Sequence, residues 1–145
     1  MTLLKDFLTE RGYKRRKLKL TKTNHFEVTA TLNGIKGRFI LDTGASNSCL
    51  GFEMAEQFLL KAEASDIKAV GAGASDLMTK VAEGNTVTIG KWKTEDVSLV
   101  LFNLDHVNEG LILHGSNRVD GILGADILRL GNAIIDYEKK YLYLK

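Results

Sequence analysis

Asp42 ends an apolar run, Phe39-Ile40-Leu41, and is followed at once by Thr43 and Gly44. An acid at the end of a buried strand is costly to ionise unless something compensates. Gly44 allows the chain to turn back sharply, and the small Ala45 and Ser46 leave the surroundings open. The combination puts a carboxyl group on a rigid support at the floor of a cleft. General acid–base catalysis by a pair of acids is the chemistry this suits, with Asp42 as one half of the pair. Two carboxyl groups close enough to share a proton cannot both ionise. One then serves as a base and the other as an acid.

Other reactive residue types are less well placed. The single cysteine, Cys49, follows the turn closely, but no local pattern ties it to His25, His106 or His114. A small buried core residue is the reading it supports. Asp105, His106 and His114 match no metal-ligand spacing and read as exposed loop residues, so no metal or cofactor is expected. Gly71-Ala72-Gly73 invites a phosphate-loop reading, but neither a G-x-G-x-x-G nor a Gly-Lys-Ser/Thr accompanies it. Lys14-Arg15-Arg16-Lys17, joined by Lys19 and Lys22, reads as a solvated face rather than a polyanion site.

The elements that position Asp42 follow from patterning. The chain has 145 residues, 44% of them apolar and 26% charged, enough for one domain with a real core. Its net charge of +2 gives no field that argues for nucleic acid or an anionic membrane. One cysteine rules out an internal disulfide framework and fits a reducing, cytoplasmic setting. No apolar stretch is long enough to span a bilayer, and residues 2–11 suit a short amphipathic helix rather than a signal peptide. Proline is absent, so turns fall to Asn, Asp and the 14 glycines. Residues 25–32 alternate as a strand, Asn33-Gly34 is a strong hairpin signal, and residues 35–41 return to deliver Asp42. Residues 52–60 predict a helix, with Met54 and Phe58 four apart. A hairpin with a Gly-rich tip is expected over residues 67–81, then strands over 86–89 and 97–101, with Trp92 as a packing residue. Residues 103–118 read as polar and irregular. A short strand at 119–124, a helix at 125–130 stopped by Gly131-Asn132, and a hairpin through Glu138-Lys139 complete the chain. This is an all-β, barrel-like pattern with one or two short helices.

In this order the segments resemble the retroviral-type (retropepsin-like) aspartic proteases, in particular their bacterial single-domain relatives. The matches are Leu41-Asp42-Thr43-Gly44-Ala45, the Gly-tipped stretch 70–75, and Gly121-Ile122-Leu123-Gly124-Ala125-Asp126-Ile127-Leu128. The resemblance covers most of the chain from about residue 25, leaving residues 1–24 as an N-terminal extension of a single domain, 1–145. It implies a closed acid-protease-like barrel, one lobe per chain. No second Asp-Thr-Gly or Asp-Ser-Gly exists here, so the second acid must be another copy of Asp42, in a C2 homodimer acting on an extended peptide.

The resemblance also assigns roles. Thr43 would bond across the dimer and hold the acids in register, and the Gly44 backbone would bond the carboxylate. Ala45 and Ser46 would line the cleft. Gly71, Ala72 and Gly73 would tip a flap that closes over substrate, and Ile122 and Leu123 would support the floor and shape a pocket. Pepsin-like relatives carry a hydroxyl after Asp-Thr-Gly where this chain has Ala45, so activity is expected at mildly acidic to near-neutral pH. The 103–118 segment is longer than in the compact viral enzymes and is expected to cover or narrow the cleft. An alternative of a different class is a non-catalytic dimerisation or peptide-binding module of the same fold. The intact Asp-Thr-Gly favours catalysis.

Overall fold

The computed structural model describes residues 1–64 and 78–145. The expected flap tip, Gly71, Ala72 and Gly73, lies outside these residues. Alternation produces the first hairpin: β3 (Phe26–Leu32) buries Phe26, Val28, Ala30 and Leu32 and pairs with β4 (Ile35–Leu41) from Phe26↔Leu41 to Leu32↔Ile35. Asn33 and Gly34 make the turn at φ 51° and 85°, the left-handed pair that matches the twist of the strands. Beyond β4 come β5 (Cys49–Gly51), β6 (Ala62–Ala64), β7 (Lys80–Ile89), β8 (Trp92–Phe102) and β9 (Gly121–Leu123).

Six of these strands close on themselves in the order β3-β4-β9-β5-β8-β7, with β3 meeting β7 at Thr31↔Thr88 and Leu32↔Val87. Two contacts in the ring are parallel, β4 with β9 and β5 with β8. A short β2 (Lys19–Leu20) adds to β3, and β6 adds to β7. A separate three-stranded sheet runs β1 (Lys14–Lys17), β11 (Tyr141–Leu144), β10 (Ile134–Asp136). The basic run is therefore an outer strand, with Arg15 stacked over the Tyr141 ring at 4.1 Å. Residues 14–17 of the N-terminal stretch are woven into the fold, since β1 pairs with β11 from Lys14↔Leu144 to Lys17↔Tyr141.

Burial on both faces explains the unbroken apolar runs around the Asp42 turn. Phe39, Leu50, Leu99, Leu101 and Leu123 fill the barrel with Trp92, Ile127 and Leu142. Their strand neighbours Ile40, Cys49, Val100, Phe102 and Ile122 point the other way, into a second cluster. Helix α2 (Asp105–Leu113) covers that cluster with Leu111, while Val107 packs against it. Residues 105–113 are thus helical, not irregular. Leu104, Val107 and Leu111 carry the helical spacing, and Asn108, 1% exposed, holds Val119 through both its backbone groups: Nδ2 donates to Val119 O (3.2 Å) and Oδ1 accepts from Val119 N (2.8 Å). Helices α1 (Leu4–Glu10) and α3 (Ala125–Leu130) stand where the sequence placed them.

The helix expected over residues 52–60 shortens to a 3-10 turn at Phe52–Met54 followed by irregular turns. Docking of Phe58 overrides local propensity. Its side chain is fully buried beside Gly37 and Phe39, and its carbonyl accepts Asn33 Nδ2 at 2.9 Å. Leu59 then turns left-handed at φ 59° and ends any helix.

Candidate active site

Asp42 leaves the end of β4 beside the parallel strand β9, its backbone N–H donating to Leu123 O at 2.9 Å. The chain turns over Thr43 and Gly44, closed by Ala45 N to Asp42 O at 3.2 Å. Gly44 N–H donates to Asp42 Oδ1 at 2.9 Å, which fixes the carboxylate's orientation with one backbone bond. The Asp42 side chain is exposed in the single chain. No other carboxylate lines the cavity it faces among the described residues.

The turn is fastened to the strand–helix junction after β9. Ala125 N donates to Ala45 O at 2.7 Å, and Gly124 N donates to Ser48 Oγ at 2.8 Å. Ser48 is 1% exposed and donates its backbone N–H to both oxygens of Asp126, at 3.0 and 2.9 Å. Its hydroxyl donates to Asp126 Oδ1 at 2.7 Å, and the same oxygen accepts Ile127 N–H at 2.8 Å. Every polar atom at this buried joint has a partner, which lowers the cost of burying it. Gly124 is required by space: a Cβ there would lie 2.5 Å from Ala45 O. Sequence reasoning picks out neither Ser48 nor Asp126 as a positioning pair. Asp126 in the first turn of α3 is the available signal.

A cavity of about 970 Å³ opens in front of Asp42, bordered by Gly44, Ala45 and Ser46. Ile40, Val100, Phe102 and Ile122 give it an apolar floor, and Val107 and Leu111 of α2 form one wall. Helix α2 thus borders the cavity. Leu123 does not line this cavity; it lies in the barrel core at 2% exposure. Thr43 faces elsewhere, into a second cavity of about 500 Å³ shared with Ala125, Arg129 and Ile135.

His25, His106 and His114, which the sequence scatters, all reach the cavity of Asp42, as does Lys22. Among the described residues no cluster of His, Cys, Asp and Glu is arranged to hold a metal. Cys49 is buried, and its thiol is pushed up to about 12. Desolvation is the main cause, partly offset by a hydrogen bond with Ile122 and reinforced by the negative charges of Asp126 and Asp42. Such a thiol is not a nucleophile near neutral pH. Among the described residues no helix is long and apolar enough to cross a membrane.

Comparison with known proteins agrees with this geometry. The family model for aspartyl protease matches residues 28–127. A retropepsin-like aspartic protease from Rickettsia conorii superposes with a TM-score of 0.56 at 22% identity, covering 92% of this chain and 89% of that one. The retroviral protease-like domain of Ddi1 from Leishmania major gives 0.56 at 18% identity over 82% and 86% of the two chains. EIAV protease in complex with an inhibitor gives 0.52 at 18% identity over 71% and 84%. No individually curated protein sequence matches at a comparable level. At these identities the structural likeness shows the fold, a retropepsin-like barrel, and the family follows from the match over residues 28–127: the chain belongs to the aspartyl protease family.

Proposed function

We propose that this protein is an aspartic endopeptidase whose site is completed by a second copy of the same chain. The observation that carries the reading is Asp42 itself. It is an exposed carboxylate with one intrachain hydrogen bond, alone of its kind on a cavity of about 970 Å³ among the described residues. Two copies of Asp42 across a C2 axis share one proton. The ionised one takes a proton from a water, which attacks the peptide carbonyl, while the protonated one donates to the carbonyl oxygen. Collapse of the tetrahedral adduct breaks the C–N bond, with a proton delivered to the departing amine. Aspartic proteases are the standard example of this shared-proton pair. Ala45, Ser46 and Ile122 then border the substrate.

The supporting geometry for a dimer lies on the α3–β10 side. Thr43 opens there rather than into the cleft, and it makes no side-chain hydrogen bond among the described residues. The outer edge of β10 is unpaired among the described residues, while the opposite edge of the same sheet carries Lys14, Arg15, Arg16 and Lys17. Charged edges deter strand pairing, and β10 carries one charge, Asp136, against four on β1, so the second copy meets the chain along β10. The single, buried, unpaired Cys49 fits a cytoplasmic setting.

Incubation of wild type and Asp42→Asn with a denatured protein at about pH 4–7, with and without a statine-type inhibitor, tests this reading. Wild type alone cleaves, and the inhibitor stops it. Equal cleavage by both proteins would remove Asp42 from the chemistry and overturn the reading, and no cleavage by either while both are dimeric would replace it with a non-catalytic binding module.

A further inference from the structure

The part of the cavity lining outside the Asp42 turn has a one-sided chemistry. His106 and Gly110 of helix α2 and His114, the residue that caps its C-terminus, line the cavity, at positions four apart that fall on one side of the helix. Its acidic residues Asp105 and Glu109 are not on that face. Between the two histidines a Cβ at Gly110 would meet nothing within 4 Å, so an open notch separates them. The turn between β2 and β3 adds Lys22 and His25 to the same wall.

This turn is held in place. Thr23 donates its backbone N–H to Ser116 Oγ at 3.2 Å, and the two hydroxyls lie 2.9 Å apart. Thr23 Oγ1 also meets Thr21 Oγ1 at 2.9 Å and His25 Nδ1 at 2.8 Å. Lys22 runs beside Gly115, where a Cβ would lie 3.4 Å from its Cδ. The two segments thus form one rim. The side chains of Lys22, His106 and His114 have no ion-pair or hydrogen-bond partner among the described residues.

Four basic side chains, Lys22, His25, His106 and His114, therefore edge a cavity whose only carboxylate, among the described residues, is Asp42. Lysine presents three N–H donors, and histidine presents at least one in either protonation state. We infer that the rim of Lys22, His25, His106 and His114 selects peptides with an acidic side chain near the scissile bond, received at the Gly110 notch. The apolar floor takes a neighbouring apolar side chain, and the rim supplies the charge-assisted bonds that fix register. This rests on the peptide cleft proposed above, and it names the substrate class that cleft accepts.

Binding and cleavage are measured separately to test it. Statine-containing peptides carry Glu, Gln or Lys stepped through the positions on either side of the statine, and matching cleavable peptides carry the same series. At one position wild type binds Glu about three- to tenfold tighter than Gln, as one partly exposed charge-assisted contact gives. That ratio falls toward one in His106→Gln/His114→Gln and in Lys22→Gln, and His114→Glu turns the preference toward Lys. Binding without preference at every position overturns the inference even if peptides are cleaved. Preference without cleavage upholds it and removes catalysis alone. Failure to bind any peptide of the set overturns both.

Discussion

Asp126 grips Ser48 with its whole carboxylate, taking the backbone N–H on both oxygens at 3.0 and 2.9 Å and the hydroxyl at 2.7 Å. Through Ser48 Oγ, which accepts Gly124 N–H, the grip reaches the glycine that lies against the Asp42 turn at Ala45. Replacing Asp126 by Asn puts an amide where the site needs acceptors only. A cost of about 2–3 kcal/mol is expected, since N–H and O–H donors are left facing N–H groups. Urea unfolding of Asp126→Asn and Ser48→Ala measures it. Because the two residues form one joint, the double variant falls short of the sum of the single losses.

Gly124→Ala asks whether the close approach matters. A Cβ there would sit 2.5 Å from Ala45 O, backbone that cannot swing aside, so the Asp42 turn must move. Stability falls by about 1–3 kcal/mol, and turnover falls more than that loss explains, because misplacement of a reacting group is costly. Unfolding and kcat/KM on the same preparation separate the two effects.

Much of this arrangement is legible in the amino-acid sequence. Alternation in residues 26–32, the Asn33-Gly34 turn and the Asp42-Thr43-Gly44 end of β4 are local signals, and locally determined elements read well. What the sequence hides is tertiary. Phe58 is helical by spacing but is drawn into the barrel against Gly37, which breaks the helix. Helix α2 is masked because polar residues and Gly110 dominate it, while Leu104, Val107 and Leu111 keep the helical period. Ser48 lies far from Asp126 along the chain, as His25 does from His106 and His114, and only folding brings them together.

Asn108 makes a further prediction about that helix. It clamps both backbone groups of Val119 from a buried position, just ahead of β9. Asn108→Ala strands those groups and is expected to cost about 2 kcal/mol. The loosened wall raises KM for peptide more than it lowers kcat. Steady-state kinetics beside thermal unfolding tests this.

The Cys49 thiol, pushed up to about 12 from an ordinary value of 9.0, ties stability to alkaline pH. Up to the unfolded value both states hold the proton, and the effect on stability is absent. As pH rises from there toward about 12, the unfolded chain loses its proton while the folded one keeps it, so stability declines across that window. Native protein at pH 8 is expected to resist a thiol reagent that labels the unfolded chain within minutes. Rapid labelling of the folded protein, read by mass spectrometry, contradicts the burial argument.

The claim that one chain holds half a site is tested by mixing. Wild type and Asp42→Asn are combined in equal amounts, given time to exchange subunits, and assayed at fixed total protein. If both acids must come from two copies of Asp42, only dimers of two wild-type chains cleave, and activity drops to about one quarter of the pure wild type. A drop to about one half, in proportion to the wild-type chains present, means that each chain works alone. That result would contradict the account.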